Sequence, residues 1–434
     1  MTTLSAPALL DELAVRVGAD HARAATAADA VDGVAPHAVV APGSIDEIAA
    51  VLRLAHTHDL ALAPRGGGTA LGLGAPPSRL DVVLSLARLD RVLDHAAGDL
   101  VVRAEAGALL SRVKAVVAEA GQTLALDPLE EARGATLGGV VAADQTGPRR
   151  LRYGTVRDLL IGVTVVQADG TIAKAGGRVV KNVAGYDLCK LFARSLGTVG
   201  VVVETIFRLH PLPPARALVK AEFASPAALD GGTQAILRST LTPSALEMRW
   251  TGGHGDLGLL FEGGAAGVAA QAERAAALWA TLDAVTVLPD AHHDDIWADL
   301  TRRPWDSATD AAAVGLKIAV PIAHVPRLLD DALEMERRHG AAIVLGGHVG
   351  SGVVFAALRD LTDSVAVAAI AEWRARVVAR GGGGSVVLMH GSPDLKRSVD
   401  VWGPAGDALP VMRAIKQRFD PQGILNPGRY VGGL

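Results

Sequence analysis

The residues best suited to chemistry in this sequence are glycines. Pro64-Arg65-Gly66-Gly67-Gly68-Thr69-Ala70-Leu71-Gly72-Leu73-Gly74 places five glycines in nine residues, directly after the short apolar run 61–64. Backbone without Cβ atoms can wrap an anion and aim several N–H groups at it, which is what holding a pyrophosphate requires. A mobile surface loop is the competing reading of this run taken alone. Two familiar nucleotide sites are excluded. The chain has no Gly-Lys dipeptide and hence no nucleoside-triphosphate P-loop. Its one G-x-G-x-x-G match, Gly253-His254-Gly255-Asp256-Leu257-Gly258, lies between the strand-like runs LEMRW and LGLLFEG. That context predicts a hairpin turn, not a strand entering a helix.

A second cluster, Thr136-Leu137-Gly138-Gly139, continues into VVAADQTG and the basic run Arg149, Arg150, Arg152, Tyr153. Its small residues again permit close approach to a flat or phosphorylated ligand, and the arginines would offset ligand charge. Arg149 and Arg150, taken individually, read as solvated loop residues. In a third segment, Val180 to Gly200, Leu188, Leu191, Phe192 and Ser195 are spaced for a helix on a sheet, which makes Cys189 core rather than nucleophile. The run His292-His293-Asp294-Asp295 suggests a metal, but adjacent side chains diverge and solvated surface is the better reading. His56 and His58 close a helix and complement its dipole.

The elements that must position these residues follow from patterning. A helix is expected over 44–60, with Ser44 as N-cap, Glu47 three residues on, and Ile45, Ile48, Val51, Leu52 and Ala55 as its apolar face. Strands are expected at 80–86, 100–106, 159–168 (ending in an Asp169-Gly170 turn) and 199–208, with a helix near 111–120. The segment HPLPPAR (210–216) reads as a domain boundary. Beyond it come a strand at 217–223, a helix at 226–239, a strand at 245–250, a helix at 264–283, a glycine loop at 381–384 and a helix around 406–418. No repeat of fixed period is seen. The expected layout is a helical segment over 1–30, a first domain over 31–215, a second over 216–400 and a tail over 401–434.

Composition sets the limits. The 434 residues are 50% hydrophobic and 20% charged, with a formal net charge of −4, which fits two or three folded domains and argues against disorder or general nucleic-acid binding. One cysteine rules out an intramolecular disulfide, and also an iron–sulfur cluster or Cys-type zinc site built from this chain alone. The first 25 residues do not read as a signal peptide, and no run of 18 apolar residues occurs, so a cytoplasmic protein is expected.

In order, APGSIDEIAAVLRLAH, PRGGGTALGLG, ATLGGVVAAD, LRYGTVRDLLIGVTVVQADGT, KNVAGYDLCKLFARSLGTVGVVVE and the ending FDPQGILNPGRY resemble the flavoenzyme family of vanillyl-alcohol oxidase and p-cresol methylhydroxylase, and within it the FAD-linked 2-hydroxy-acid dehydrogenases. The resemblance implies an α+β fold: a two-subdomain FAD-binding domain, an α+β cap domain, and a C-terminal tail returning to the flavin. Pro64, Arg65, Gly66, Gly67, Gly68, Thr69, Ala70 and Gly72 would hold the FAD pyrophosphate. Asp127, Pro128, Thr136, Gly138, Gly139, Ala142, Ala143 and Gly147 would line the flavin and ribityl chain. Val201 or Val202 would touch the cofactor through backbone atoms, and Asn426 would approach the flavin ring. Covalent members carry a His after the glycine run; here Thr69 stands there, which implies non-covalent FAD.

Departures from the pattern are equally informative. Hydroxy-acid members carry G-H-x-G-D-G-N-x-H as a metal and substrate segment; this chain has Gly347-His348-Val349-Gly350-Ser351-Gly352-Val353-Val354-Phe355. Ser351, Val353 and Phe355 replace the Asp, the Asn and the second His, so no metal site is expected. Met389 precedes His390 where a Glu-His pair would stand. These losses, with the ending from Asp394 onward, resemble the FAD-binding E subunits of glycolate oxidase complexes. Implied partners are a paralogous FAD-linked catalytic subunit and an iron–sulfur subunit, with glycolate or D-lactate as the complex's substrate. Through such partners the chain could lie peripherally at the inner face of the membrane. Two alternatives stay open: a self-sufficient FAD-dependent 2-hydroxy-acid dehydrogenase using His348 or His390 as base, and a non-catalytic scaffold with an empty FAD fold. No catalytic residue is assigned.

Overall fold

A computed structural model describes residues 4–178, 186–289, 294–306 and 313–434. The chain divides into two compact units, one of residues 1–145, 155–212 and 404–434, the other of 146–154 and 213–403. Residues 146–154 therefore pack with the second unit, although their position in sequence had placed them in the FAD-binding domain.

The first unit is built on two sheets. In the smaller, Ala22–Ala24, Ala38–Val40, Val82–Ser85 and Leu62–Arg65 lie in that order. The last three run parallel, and the first joins antiparallel. The helix Ile45–His58 makes the crossover between two of these strands. The Ser44 hydroxyl accepts from the Glu47 amide, Glu47 accepts in turn from the Gly43 amide, and Ile48, Val51, Leu52 and Ala55 are buried as their spacing requires. The larger sheet is antiparallel in the order Val92–Ala96, Val101–Glu105, Val201–Arg208, Leu160–Val166, Ile172–Gly176. Its last hairpin turns at Gly170, whose φ of +83° explains the residue. The segment Thr136 to Ala143, expected only as a small-residue cluster, forms a helix, Leu137–Ala143, packed on Val201–Arg208.

The second unit is one antiparallel sheet of eight strands: Asp283–Pro289, Ala215–Phe223, His254–Gly263, Ala245–Thr251, Ala342–His348, Val353–Arg359, Val314–Ala319, Ser385–His390. Along the chain the topology is strand, helix, strand, strand, helix, strand, twice over. The two halves meet at Ala245–Thr251 and Ala342–His348. The duplication is one of topology and is not accompanied by a fixed period in the sequence. The G-x-G-x-x-G match is a hairpin, with Gly252 and Gly253 (φ +59° and +90°) joining Ala245–Thr251 to His254–Gly263. Trp250, Trp279 and Trp373 are fully buried in this unit's core.

Candidate functional site

The strand Leu62–Arg65 runs into the glycine run, and Thr136 caps the helix Leu137–Ala143 by accepting from the Gly139 amide at 3.4 Å. These two segments meet. A Cβ added to Gly67 would lie 1.9 Å from the Gly134 carbonyl oxygen, and one added to Gly66 would lie 2.1 Å from Thr136 Oγ1. The glycines at 66 and 67 are thus required by the close approach of one loop to another. Gly68 differs: it has φ +76°, and a Cβ there would meet Arg65 Cδ and Leu71 Cδ1 at an ordinary 3.9 Å, so its backbone conformation and not a close approach calls for glycine.

The segments border a cleft within the first unit. One side is Pro64, Arg65, Gly66, Gly67, Gly68, Thr69, Ala70, Leu71 and Leu73; the other is Thr136, Gly139, Ala142, Ala143 and Leu196; Asn426 and Arg429 of the C-terminal tail complete it. Most of the residues expected from the sequence are brought together here. Gly72, Asp127, Pro128, Gly138, Val201 and Val202 do not line this cleft, and Gly147 belongs to the second unit. Gly138 has a packing reason instead, since a Cβ there would come 2.7 Å from that of Ala106. Val201 and Val202 are buried in the ladder opposite Val166 and Val165. Leu71, Leu73, Leu196 and Arg429 were not foreseen. The ending NPGR was the only signal for Arg429.

The tail is wired into both sides of the cleft. The Asn426 amide donates to the Leu62 carbonyl (2.8 Å) and its side-chain Nδ2 to the Leu196 carbonyl (2.6 Å). Asp420 accepts from the amides of Ile424 and Leu425 and from Lys416 Nζ, which also donates to the carbonyls of Thr198 and Leu425. Arg65 donates to Asp29 (3.0 Å), a buried carboxylate also held by Arg23 and by the Thr26 amide and hydroxyl. The Arg23 hydrogen bonds come first in holding the Asp29 carboxyl far below the usual range.

These residues fit FAD. Side-chain-free backbone borders the cleft at Gly66, Gly67 and Gly68, a cation stands at Arg429, and Ala142, Ala143 and Leu196 offer an apolar side. Among the described residues the lining contains no His, Cys or Tyr.

The second unit holds a different cluster. His348 Nδ1 lies 2.8–2.9 Å from both carboxylate oxygens of Glu247, directly across the seam between the two halves of the sheet, and both side chains are buried. Phe355 stands edge-on to His348 (5.5 Å between ring centroids) and to Trp305, which stacks on His390. Val353 and Phe355 belong to an apolar cluster with Trp305, and Met389 packs against it. Ser351 Oγ donates to the His348 carbonyl (3.3 Å). Arg149, read from sequence as solvated, instead pairs at 2.7 Å with Glu262, which is 1% exposed, because 146–154 packs on this sheet. Arg152 donates to the Glu262 carbonyl and Arg150 to Thr146 Oγ1. His292, His293 and residues 181–185 lie outside the described residues. Among the described residues no group of three or more His, Cys, Asp or Glu is arranged around a metal ion, and no helix is long and apolar enough to cross a membrane.

Comparison with known proteins agrees with this architecture. Residues 36–176 match the FAD binding domain family and residues 258–430 the C-terminal domain of FAD linked oxidases. D-2-hydroxyglutarate dehydrogenase of Xanthomonas citri is 30% identical over 91% of this chain and 89% of its own. D-lactate dehydrogenase of Archaeoglobus fulgidus is 29% identical (92% and 94%), and glycolate oxidase subunit GlcD of Bacillus subtilis 27% (91% and 88%). The structure of p-cresol methylhydroxylase with substrate bound superposes with a TM-score of 0.76 at 15% identity, covering 97% of this chain and 96% of that one, which establishes a shared fold. The chain belongs to the FAD-linked oxidase family. It is an FAD-dependent oxidoreductase of the branch that includes the 2-hydroxy-acid oxidases and dehydrogenases.

Proposed function

We propose that the chain is the FAD-binding subunit of a glycolate-type 2-hydroxy-acid oxidase complex, holding FAD non-covalently in the cleft of its first unit and serving electron transfer or assembly. FAD when bound supplies two-electron redox chemistry. The chain's own residues would hold its diphosphate at the amides of the Gly66–Gly68 turn, and Thr136, Gly139 and Ala142 would give the flavin portion a flat approach. Thr69 and the other described lining residues offer no side chain of the kinds that attach flavin covalently, which supports a dissociable cofactor. The names of the relatives all point to 2-hydroxy acids, which supports that substrate class for the complex.

The observation that carries the subunit reading is the filling of the substrate segment. Where the resemblance calls for metal and substrate ligands, Val353 and Phe355 form a buried apolar cluster with Trp305. Val353 and Phe355 offer no donor to a clamped carboxylate or a metal. A partner chain would supply the complete site, and an iron–sulfur subunit would take the electrons, since the single Cys189 cannot hold a cluster. Any peripheral position at a membrane would come through those partners.

One observation favours a second reading, the self-sufficient dehydrogenase. Glu247 fixes His348 through Nδ1, and the buried Nε2 accepts no hydrogen bond among the described residues, which is how an oriented general base is built. Anaerobic titration of the purified chain with glycolate and D-lactate tests both. The subunit reading expects the flavin to stay oxidised in the isolated chain and to bleach once the co-purifying partners are present. Bleaching in the isolated chain, lost in His348→Ala, would replace it with the second. A colourless chain that takes up no FAD would leave only the scaffold.

A further inference from the structure

Arg429 belongs to the cleft yet has no part in the glycine-loop reading. It is 3% exposed. Its Nη2 donates to the carbonyl oxygens of Leu71 and Leu73 (2.7 Å to the latter), and its Nε reaches the Ala75 carbonyl at 3.4 Å. Its own carbonyl accepts from the Ala75 amide at 3.1 Å. One tail residue therefore secures the chain that follows the glycine run through side chain and main chain together. Carbonyls held in this way are not free to turn toward an anion, so the amides of the run are what it meets.

The guanidinium also carries charge. Burial lowers its pKa to about 10, so it remains a cation at neutral pH, and Asp32 is the carboxylate whose field acts on it. Taking a cation out of water is expensive, the carbonyl oxygens it donates to repay part of that cost, and an incoming anion would repay more. A dinucleotide's diphosphate brings two negative charges to this wall.

We infer that Arg429 is a positioning residue for the FAD diphosphate, holding the carbonyls of Leu71 and Leu73 and setting the positive potential of the cleft, with Asp32 as an opposing charge. This rests on the reading of the cleft as the FAD site.

The test is FAD affinity of the apoprotein, measured by quenching of flavin fluorescence, for wild type, Arg429→Gln, Arg429→Lys and Asp32→Asn. Glutamine keeps a donor but loses the charge and the fork, and should weaken FAD at least tenfold. Lysine keeps the charge and should fall between glutamine and wild type. Asp32 sits at φ +46°, which asparagine tolerates, and Asp32→Asn should tighten FAD two- to fivefold. Opposite signs at 429 and 32 are not what general damage to the fold produces. ADP-ribose, which carries the diphosphate, should follow the same order, and riboflavin should not. An Arg429→Gln affinity within twofold of wild type, Asp32→Asn weakening FAD, or equal shifts for riboflavin would each overturn the assignment. If Arg429→Gln does not fold, the lysine and asparagine variants decide. Failure of wild-type apoprotein to bind FAD or ADP-ribose would overturn the cleft reading itself and this assignment with it.

Discussion

The interlock of the two loops can be tested by a pair of substitutions expected to compensate each other. In Gly66→Ala the new methyl would stand 2.1 Å from Thr136 Oγ1, 3.2 Å from Thr136 Cβ and 3.5 Å from its Cγ2. Only the first contact is impossible, so the loops must separate or the Thr136 side chain must turn. Overpacking of this kind costs about 1–3 kcal/mol, which weakens FAD roughly 5- to 150-fold if the loss falls on the bound state. Thr136→Ala alone removes the cap of Leu137–Ala143, at about 1 kcal/mol. In the double variant the offending oxygen is gone and the 3.2 Å contact is tolerable. Recovery of at least about 1 kcal/mol relative to the sum of the single effects is therefore expected. Gly67→Ala serves as the control. Its clash is with the Gly134 backbone carbonyl at 1.9 Å, and Thr136→Ala should not relieve it. The assay is FAD titration of apoprotein alongside thermal melting of the same samples. Additive behaviour of Gly66→Ala and Thr136→Ala, within the roughly 0.5 kcal/mol seen for independent sites, would refute the reasoning.

Three further outcomes are expected. Cys189 is buried and its thiol is pushed up to about 11, mainly by desolvation, so native protein at pH 8 should resist thiol reagents and react stoichiometrically once unfolded; rapid labelling of native protein would contradict this. Asp29 is ionised far below the pH where an unfolded Asp protonates, so its contribution is present above about pH 4 and lost as pH falls below it. Asp29→Asn should lower the melting temperature at pH 7, with the gap to wild type narrowing toward pH 3; a gap independent of pH would count against the Arg23–Asp29–Arg65 anchor. Phe355→His should not confer flavin bleaching by glycolate on the isolated chain, because Ser351 and Val353 remain, and bleaching in that single variant would show the substrate segment to be less altered than argued.

Much of the cleft could be read from residue types, because close backbone approach leaves a mark no other constraint leaves so plainly: glycine. Gly66 and Gly67 were legible for that reason, and Gly68 for its positive φ. Local signals also served well where the physics is local, as with the Ser44 cap, the Gly170 turn and the Gly252-Gly253 hairpin. What escaped was set by tertiary contact. The helix Leu137–Ala143 carries two glycines that lower its intrinsic propensity, and packing on Val201–Arg208 outweighs them. Arg149 looked solvated because its partner Glu262 lies 113 positions away. The pairing of Glu247 with His348 depends on how the two halves of the second unit meet, which no spacing in the sequence reveals. Arg429 lies beyond the expected Asn426 by one turn of chain, and its role needs the carbonyls of Leu71 and Leu73 in view.

In the proposed function, interlocked glycine loops hold a dissociable FAD. Acid precipitation of the purified chain, with the flavin in supernatant and pellet identified and counted against protein, tests it most directly. FAD released into the supernatant at close to one per chain is the result predicted; a colourless protein that cannot be reconstituted, or flavin that stays with the pellet, would contradict it.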